Sequence, residues 1–131
     1  MKILKIAAVL LIFAGIIACG KEEEPNESSN VLQGTWRETF PCKDCRLLTF
    51  SDNDTIYIQF TYDNSVIKWT YQFISKDSIQ IERLNETDPY IKKTNSKIVF
   101  YSNESILIEE FSFIDATVYP PLGEIKLTKT R

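Results

Sequence analysis

Histidine is missing from this chain of 131 residues, and methionine occurs once, as Met1. Catalytic triads and dyads that depend on an imidazole base are therefore excluded, as are metal sites built on imidazole ligands. After residue 30 the chain has two glycines, Gly34 and Gly123, which are too few for a glycine-rich phosphate loop. Acidic residues outnumber basic ones, 18 to 15. Because nucleic-acid binding needs a clustered positive field, no nucleic-acid partner is expected.

The first 18 residues have the pattern of a secretion signal. Lys2 and Lys5 give a positive start, and residues 6–17 form an apolar run. This run is shorter than the about 20 residues that a membrane-spanning helix needs. An ordinary buried first helix is the alternative. The pattern predicts a signal peptide, residues 1–18, that is cleaved from the mature protein.

Residues 16–19, Ile-Ile-Ala-Cys, resemble the lipobox of bacterial lipoproteins, in which the cysteine thiol is acylated and the preceding peptide bond is then cut. The resemblance implies that Cys19 is the first residue of the mature protein and carries lipid. Several acyl chains anchor a protein stably, so a membrane is the first expected partner. The expected location is the bacterial outer membrane.

Residues 19–30 comprise the acylated cysteine and a disordered, flexible tether, since residues 20–30 contain no large apolar side chain. The run Lys-Glu-Glu-Glu at residues 21–24 resembles the acidic export signal that sends lipoproteins of Bacteroidota to the cell surface. A plain solubilising spacer is the alternative, because charge runs are usually solvated. The first of these alternatives implies exposure on the cell surface.

Residues 31–131 form the expected folded domain, in which apolar and polar residues alternate as in short antiparallel strands. Turn-forming residues separate the alternating segments, for example at residues 63–65 and 94–95. The alternation changes phase between residues 106 and 113, which predicts a bulge near Glu109 and Glu110. Eight strands are expected, near residues 35–40, 46–51, 55–62, 67–73, 78–84, 97–101, 105–114 and 124–128.

This pattern predicts an all-β fold, a small antiparallel up-and-down β-barrel of about eight strands, because closure pairs every edge strand. A sandwich of the same strands is the alternative. A barrel of about eight strands has room for its own side chains or for one small ligand. Trp69, Tyr71 and Phe60 are the candidates for contact with a small apolar ligand, if they stay accessible. Packing within the core is the alternative for the same residues.

The segment Leu-Gln-Gly-Thr-Trp at residues 32–36 resembles the Gly-x-Trp start of lipocalin-type barrels. The resemblance implies that Gly34 and Trp36 begin the first strand and that Trp36 fills the closed end. In that family a basic residue after the last strand covers the tryptophan, and Arg131 is the candidate here. Residues 111–127 also resemble the ends of small lipocalin-like lipoproteins of Bacteroidota. Such a fold does not by itself imply an activity.

Residues 40–45, Phe-Pro-Cys-Lys-Asp-Cys, resemble the Pro-Cys-x-Asp-Cys signature of the NlpE-type copper-resistance and envelope-stress lipoproteins. In an oxidising envelope, Cys42 and Cys45 are expected to form a disulfide. A redox-active pair and capture of a soft ion such as Cu(I) are the alternatives. Tetrahedral zinc would need more nitrogen or sulfur ligands than these two cysteines supply.

Thr55 and Ser78 each follow an aspartate and precede an isoleucine, which resembles the sequence that Bacteroidota O-glycosylate on exported proteins. Ordinary turn-to-strand chemistry is the alternative. The carboxylates show no spacing that commits two of them to one site, so no enzyme activity, metal or cofactor is expected. The expected function is a membrane-anchored, non-enzymatic module that binds a small apolar ligand or an envelope protein. An envelope copper or redox sensor using Cys42 and Cys45 is the alternative.

Overall fold

The computed structural model describes residues 27–113 and 122–131, which fold as a closed antiparallel β-barrel. The expected signal peptide, Cys19 and residues 20–26 lie outside the described residues, as do residues 114–121 of the tail motif. The elements are α1 (Glu27–Leu32), β1 (Gly34–Phe40), β2 (Arg46–Phe50), β3 (Thr55–Phe60), β4 (Val66–Ser75), β5 (Ser78–Arg83), α2 (Pro89–Lys92), β6 (Lys93–Ser102), β7 (Ser105–Phe113) and β8 (Leu122–Lys129).

Each strand pairs with the strands before and after it in the chain, and β8 pairs with β1. The predicted up-and-down barrel is therefore confirmed, and the sandwich alternative is wrong. Closure supplies backbone partners to both edges of every strand, which an open sheet of the same length would leave exposed. The eight strands fall close to the segments in which apolar residues alternate.

The predicted turn at residues 94–95 is wrong, because both residues belong to β6. Thr94 pairs with Ile81 and Asn95 pairs with Gln80. The chain reverses earlier, at α2, where the Asp88 side chain accepts the N–H of Tyr90 at 2.9 Å and a proline occupies the first turn. An aspartate cap followed by proline is a favoured way to start a helix.

The other short helix, α1, includes residues 27–30, which the composition assigns to the tether. It brings Leu32 into the core, where this side chain is fully buried. Neither helix in residues 27–113 and 122–131 has the length or the apolar character to cross a lipid bilayer.

The predicted bulge in β7 is confirmed. The register with β8 shifts between Ile108 and Ser112, and Glu110 has a φ of 50°. In a regular strand, Ile108 and Phe111 would face opposite sides, because their residue numbers differ by three. The extra residue of the bulge lets both face the interior, where both are fully buried. Glu109 and Glu110 are both exposed.

Apolar side chains from all eight strands and α1 fill the barrel interior. Trp36 is the largest fully buried side chain, and the rings of Phe50 and Tyr71 meet edge to face at 5.4 Å. The core consists of Leu32, Trp36, Leu48, Phe50, Ile56, Ile58, Trp69, Tyr71, Ile79, Ile81, Ile98, Ile106, Ile108, Phe111, Ile125 and Leu127.

Because the strands alternate in direction, their connections fall into two groups. The start of β1, the end of β8 and the β2–β3, β4–β5 and β6–β7 turns lie at one end, called here the closed end because α1 and Leu32 cover it. The β1–β2, β3–β4 and β5–β6 connections lie at the other end, called here the distal end. The chain therefore enters and leaves the barrel at the closed end.

Lys129 covers the Trp36 ring at the closed end. Its Nζ lies 5.1 Å from the ring centre and donates a hydrogen bond to the Val31 carbonyl at 2.9 Å. The Trp36 indole N–H donates to the Leu32 carbonyl at 2.7 Å. The assignment of this covering role to Arg131 is corrected, because Lys129 is the residue paired with Trp36 across β1 and β8.

Replacing Gly34 with alanine should destabilise the barrel. Gly34 has a φ of 116°, and a Cβ there would lie 3.1 Å from Cε of Lys129. We expect Gly34→Ala to lower the free energy of unfolding by about 1–3 kcal/mol, because an L-residue is strained at this φ. Urea unfolding followed by tryptophan fluorescence measures the change. An unaltered midpoint would contradict the role assigned to this glycine.

Candidate functional site

A buried ion pair lies inside the barrel near the distal end. Glu38 is on the same face of β1 as Trp36 and is fully buried. Its two carboxylate oxygens accept hydrogen bonds from Nε and Nη2 of Arg46, both at 2.7 Å. A buried carboxylate is costly unless it is paired in this way, so the two residues stabilise the fold only as a unit.

The β1–β2 connection is organised around Glu38. The Cys42 backbone N–H donates to the Glu38 carboxylate at 3.3 Å, and the Asp44 N–H donates to the Glu38 carbonyl at 2.9 Å. Cys42 and Cys45 are at disulfide distance, with Cα atoms 5.6 Å apart, as expected. Cys42 is exposed and Cys45 is half-buried. The cysteine pair is thus accessible to solvent at the distal end.

A second charge, Arg83, lies under the β5–β6 connection and is 1% exposed. One guanidinium nitrogen donates to the Ile91 carbonyl at 2.9 Å and to Thr94 Oγ1 at 2.8 Å. The other donates to the carbonyls of Glu110 and Phe111 at 3.1 and 2.9 Å. These bonds tie the β7 bulge to the end of α2.

The environment of Arg83 lowers its basicity without discharging it. Burial lowers the pKa of Arg83 to about 10, and the nearby Glu86 carboxylate opposes this shift. The guanidinium carbon lies 4.7 Å from the centre of the Trp69 ring. Arg83 therefore carries its charge at neutral pH, and its guanidinium group lies over the Trp69 ring. This cation–π contact is stabilising.

A small pocket opens beside this stack. It has a volume of about 140 Å³ and is lined by Ile67, Trp69, Arg83, Asn85 and Glu86. We call it the mouth pocket. Pockets that hold drug-sized molecules begin at about 300 Å³, so its size suits one inserted side chain rather than a whole ligand.

Four exposed apolar side chains lie at two of the connections at the distal end of the barrel. Tyr62 and Val66, at the β3–β4 turn, are 76% and 56% exposed. Leu84 and Tyr90, in the β5–β6 connection, are 48% and 88% exposed. We call these four residues the apolar rim. Solvated apolar groups in one region are a feature of contact surfaces.

The three residues predicted to contact a ligand belong mainly to the core. Trp69 and Tyr71 are 4% and 5% exposed, and Phe60 is partly buried against the core. Burial raises the pKa of Tyr71 to about 12, and its hydroxyl donates to the Ser51 carbonyl at 3.1 Å, toward the closed end. Trp69 lines the mouth pocket, so it is the member of this group placed near the apolar rim.

The two residues considered for O-glycosylation differ in access. Thr55 is 3% exposed, and its hydroxyl donates to the Asn53 carbonyl at 3.3 Å. Ser78 is half-buried, with its hydroxyl 3.4 Å from the Asp77 carboxylate. A glycan fits the folded barrel more readily at Ser78 than at Thr55.

Three residues that matter here have no place among the sequence-based candidates: Glu38, Arg83 and Lys129. The alternation along the strands could have indicated two of them. Glu38 lies two positions after Trp36, and Arg83 lies two positions after Ile81, so each faces the same side of its strand as a core residue. A charged residue at an inward-facing position near a strand end marks a buried ion pair or a clamp. Within residues 27–113 and 122–131, no cluster of three or more Cys, His, Asp and Glu residues could hold a metal ion.

No protein-family model and no curated protein matches this sequence. The residues and their geometry are therefore the basis for the function proposed below.

Breaking the Glu38–Arg46 pair should be costly. We expect Arg46→Met to lower the free energy of unfolding by about 3 kcal/mol, because it leaves the buried Glu38 carboxylate without its cation. The double variant Glu38→Leu with Arg46→Met should recover most of that loss. Urea unfolding of the two single variants and of the double variant measures the coupling.

Arg37 provides the matched control for this experiment. Its nitrogen lies 3.6 Å from Asp44, and both side chains are about half exposed. Exposed pairs contribute little, so Arg37→Met should change the unfolding free energy by less than about 1 kcal/mol. Equal losses from Arg37→Met and Arg46→Met would contradict the importance of burial.

Proposed function

We propose that this protein is a lipid-anchored, non-enzymatic binding module of the bacterial outer membrane. The acyl chains on Cys19 hold it in the membrane, and its lipocalin-like barrel binds a partner at the distal end. The proposal combines the lipobox resemblance at residues 16–19 with the place where the chain enters the barrel.

The entry point of the chain is the observation that carries the proposal. Cys19 is joined to α1 by residues 20–26, and α1 lies at the closed end. Seven extended residues reach at most about 25 Å, so this link keeps the closed end near the membrane. The distal end, with its apolar rim, then faces away from the membrane.

The filled interior favours the surface of the barrel as the proposed binding region. Trp36, Trp69 and Phe111 occupy the interior together with the other core residues, and the Trp69 and Phe111 rings are 5.3 Å apart. A small apolar ligand would have to displace such packing, whereas the apolar rim is already solvated. An envelope protein or peptide is therefore the better-supported partner.

Anchoring is tested through Cys19. We expect the wild-type protein to incorporate an alkyne-labelled fatty acid and to sediment with outer membranes, because a lipidated cysteine is retained there. Cys19→Ser should abolish the label. The double variant Cys42→Ser with Cys45→Ser keeps Cys19 and should retain the label. Incorporation by the Cys19→Ser variant would refute the anchor.

Orientation is tested with labels at the two ends of the barrel. Thr87→Cys places a thiol in the β5–β6 connection, and Asn103→Cys places one in the β6–β7 turn; both positions are exposed. In the reconstituted lipoprotein, a quencher attached to lipid headgroups should dim a fluorophore on Asn103→Cys more strongly than one on Thr87→Cys. The opposite order would overturn the orientation.

A second candidate function is an envelope redox or copper sensor that uses Cys42 and Cys45. Two observations favour it. Cys42 is exposed and lies at disulfide distance from Cys45, and the Cys42 backbone N–H donates a hydrogen bond to the Glu38 carboxylate. A dithiol reductant would transfer two electrons and two protons to the disulfide and be oxidised to its own disulfide. The resulting thiols would release their protons on binding Cu(I), which prefers thiolate ligands.

The redox state of the pair in its native envelope separates the two functions. Acid-quenched thiol trapping and intact mass, with and without reductant, measure it. The binding module predicts an oxidised pair that persists in mild reductant. Free thiols, or a mass shift from bound copper, would favour the sensor.

A further inference from the structure

The apolar rim lies among acidic groups. The β3–β4 turn and the β5–β6 connection, residues 61–65 and 84–92, together carry Asp63, Glu86 and Asp88 against the single base Lys92. The hydroxyl and N–H of Ser65 donate to Asp63 and lower the pKa of its carboxyl, so Asp63 is ionised at neutral pH. These two connections are therefore apolar and carry three carboxylates against one ammonium group.

The mouth pocket is partly apolar and partly charged. Ile67 and Trp69 give it an apolar wall, and it is also lined by the buried Arg83 guanidinium and by the Glu86 carboxylate at its edge. The Glu86 carboxylate accepts the N–H groups of Thr87 and Asp88 at 2.8 and 3.0 Å, which fixes its position. An apolar side chain in the pocket would therefore lie beside the buried Arg83 and beside an oriented carboxylate, Glu86, which is the more exposed of the two charges.

The protein's own tether is a poor occupant for this surface. Residues 20–26 reach at most about 25 Å from the closed end, whereas a ten-residue strand such as β4 extends about 33 Å. The tether also carries Glu22, Glu23 and Glu24, which the acidic groups beside the apolar rim would repel. A second copy on the same membrane fits no better, since a symmetric pair would need the two distal ends to face each other.

We propose that the apolar rim and the mouth pocket bind a cationic amphipathic peptide segment, with an apolar side chain in the pocket and lysine or arginine against Asp63 and Glu86. This inference rests on the proposed binding module and names the partner class of its distal end. The apolar contacts give affinity, and the charges select basic over acidic segments.

The binding should depend on salt. The acidic groups beside the apolar rim are near the solvent, so salt screens their attraction for lysine. The Debye length falls from about 30 Å at 0.01 M salt to about 8 Å at 0.15 M salt. The contact in the pocket is apolar and should persist. The dissociation constant is therefore expected to rise with salt and to level off.

The test uses the processed, acylated lipoprotein in zwitterionic phosphatidylcholine nanodiscs and a fluorescent peptide of leucine and lysine. A peptide with glutamate in place of lysine is the comparison, and empty nanodiscs give the lipid background. Fluorescence anisotropy should show binding of the lysine peptide in the micromolar range, as for small transient interfaces. The glutamate peptide should not bind.

Paired variants locate the surface. Val66→Ser with Leu84→Ser should weaken binding of the lysine peptide about tenfold, because exposed apolar anchors carry much of such an interface. Ile74→Ser with Tyr101→Ser removes apolar groups of similar exposure, 49% and 61%, from the closed end and should leave binding within about twofold. Asp63→Asn with Glu86→Gln should weaken binding at low salt and flatten its salt dependence.

Several outcomes would overturn the inference. These are equal binding of both peptides, equal losses from rim and closed-end variants, and binding that matches empty nanodiscs and so reports lipid. Failure of the anchor is distinguishable, because a protein without acyl chains does not enter nanodiscs and can be titrated with the same peptides in solution. If the acylated protein does not bind the lysine peptide, the proposed peptide partner is refuted and the anchor is not.

Discussion

The pairing of β8 with β1 is the contact on which the other features of this protein depend. It closes the barrel and sets Lys129 opposite Trp36. That register lets the lysine stem pass over Gly34 and its ammonium group reach both the indole face and the Val31 carbonyl. With α1 held in this way, one end of the barrel is covered, and the chain that leads to Cys19 emerges there.

The two ends are stabilised by different physics. At the closed end an indole and a leucine provide burial, and one ammonium group satisfies a helix carbonyl. At the distal end two guanidinium groups, Arg46 and Arg83, are held by a carboxylate and by backbone carbonyls. Because charges in a low-dielectric interior must keep fixed partners, the Arg46 pair holds the β1–β2 connection and Arg83 holds the β5–β6 connection, which carries part of the apolar rim.

In the proposed function, a barrel with a filled interior binds its partner through the apolar surface of the distal end. The core rings of Trp69 and Phe111 leave the mouth pocket large enough for one side chain. The rest of the contact would have to come from the rim. Such a surface would give modest affinity and would depend on charge for its selectivity.

The sequence by itself determined the strands, most turns and the bulge at Glu110, because alternation and turn chemistry are local properties of the chain. Only the tertiary structure decided which charges meet. Lys129 and Arg131 are two positions apart and would face the same side of an extended strand. Which of them covers Trp36 therefore depends on the register between β1 and β8, which are about ninety residues apart. The same holds for the carbonyls that Arg83 binds in β7: long-range pairing selects partners that no short segment specifies.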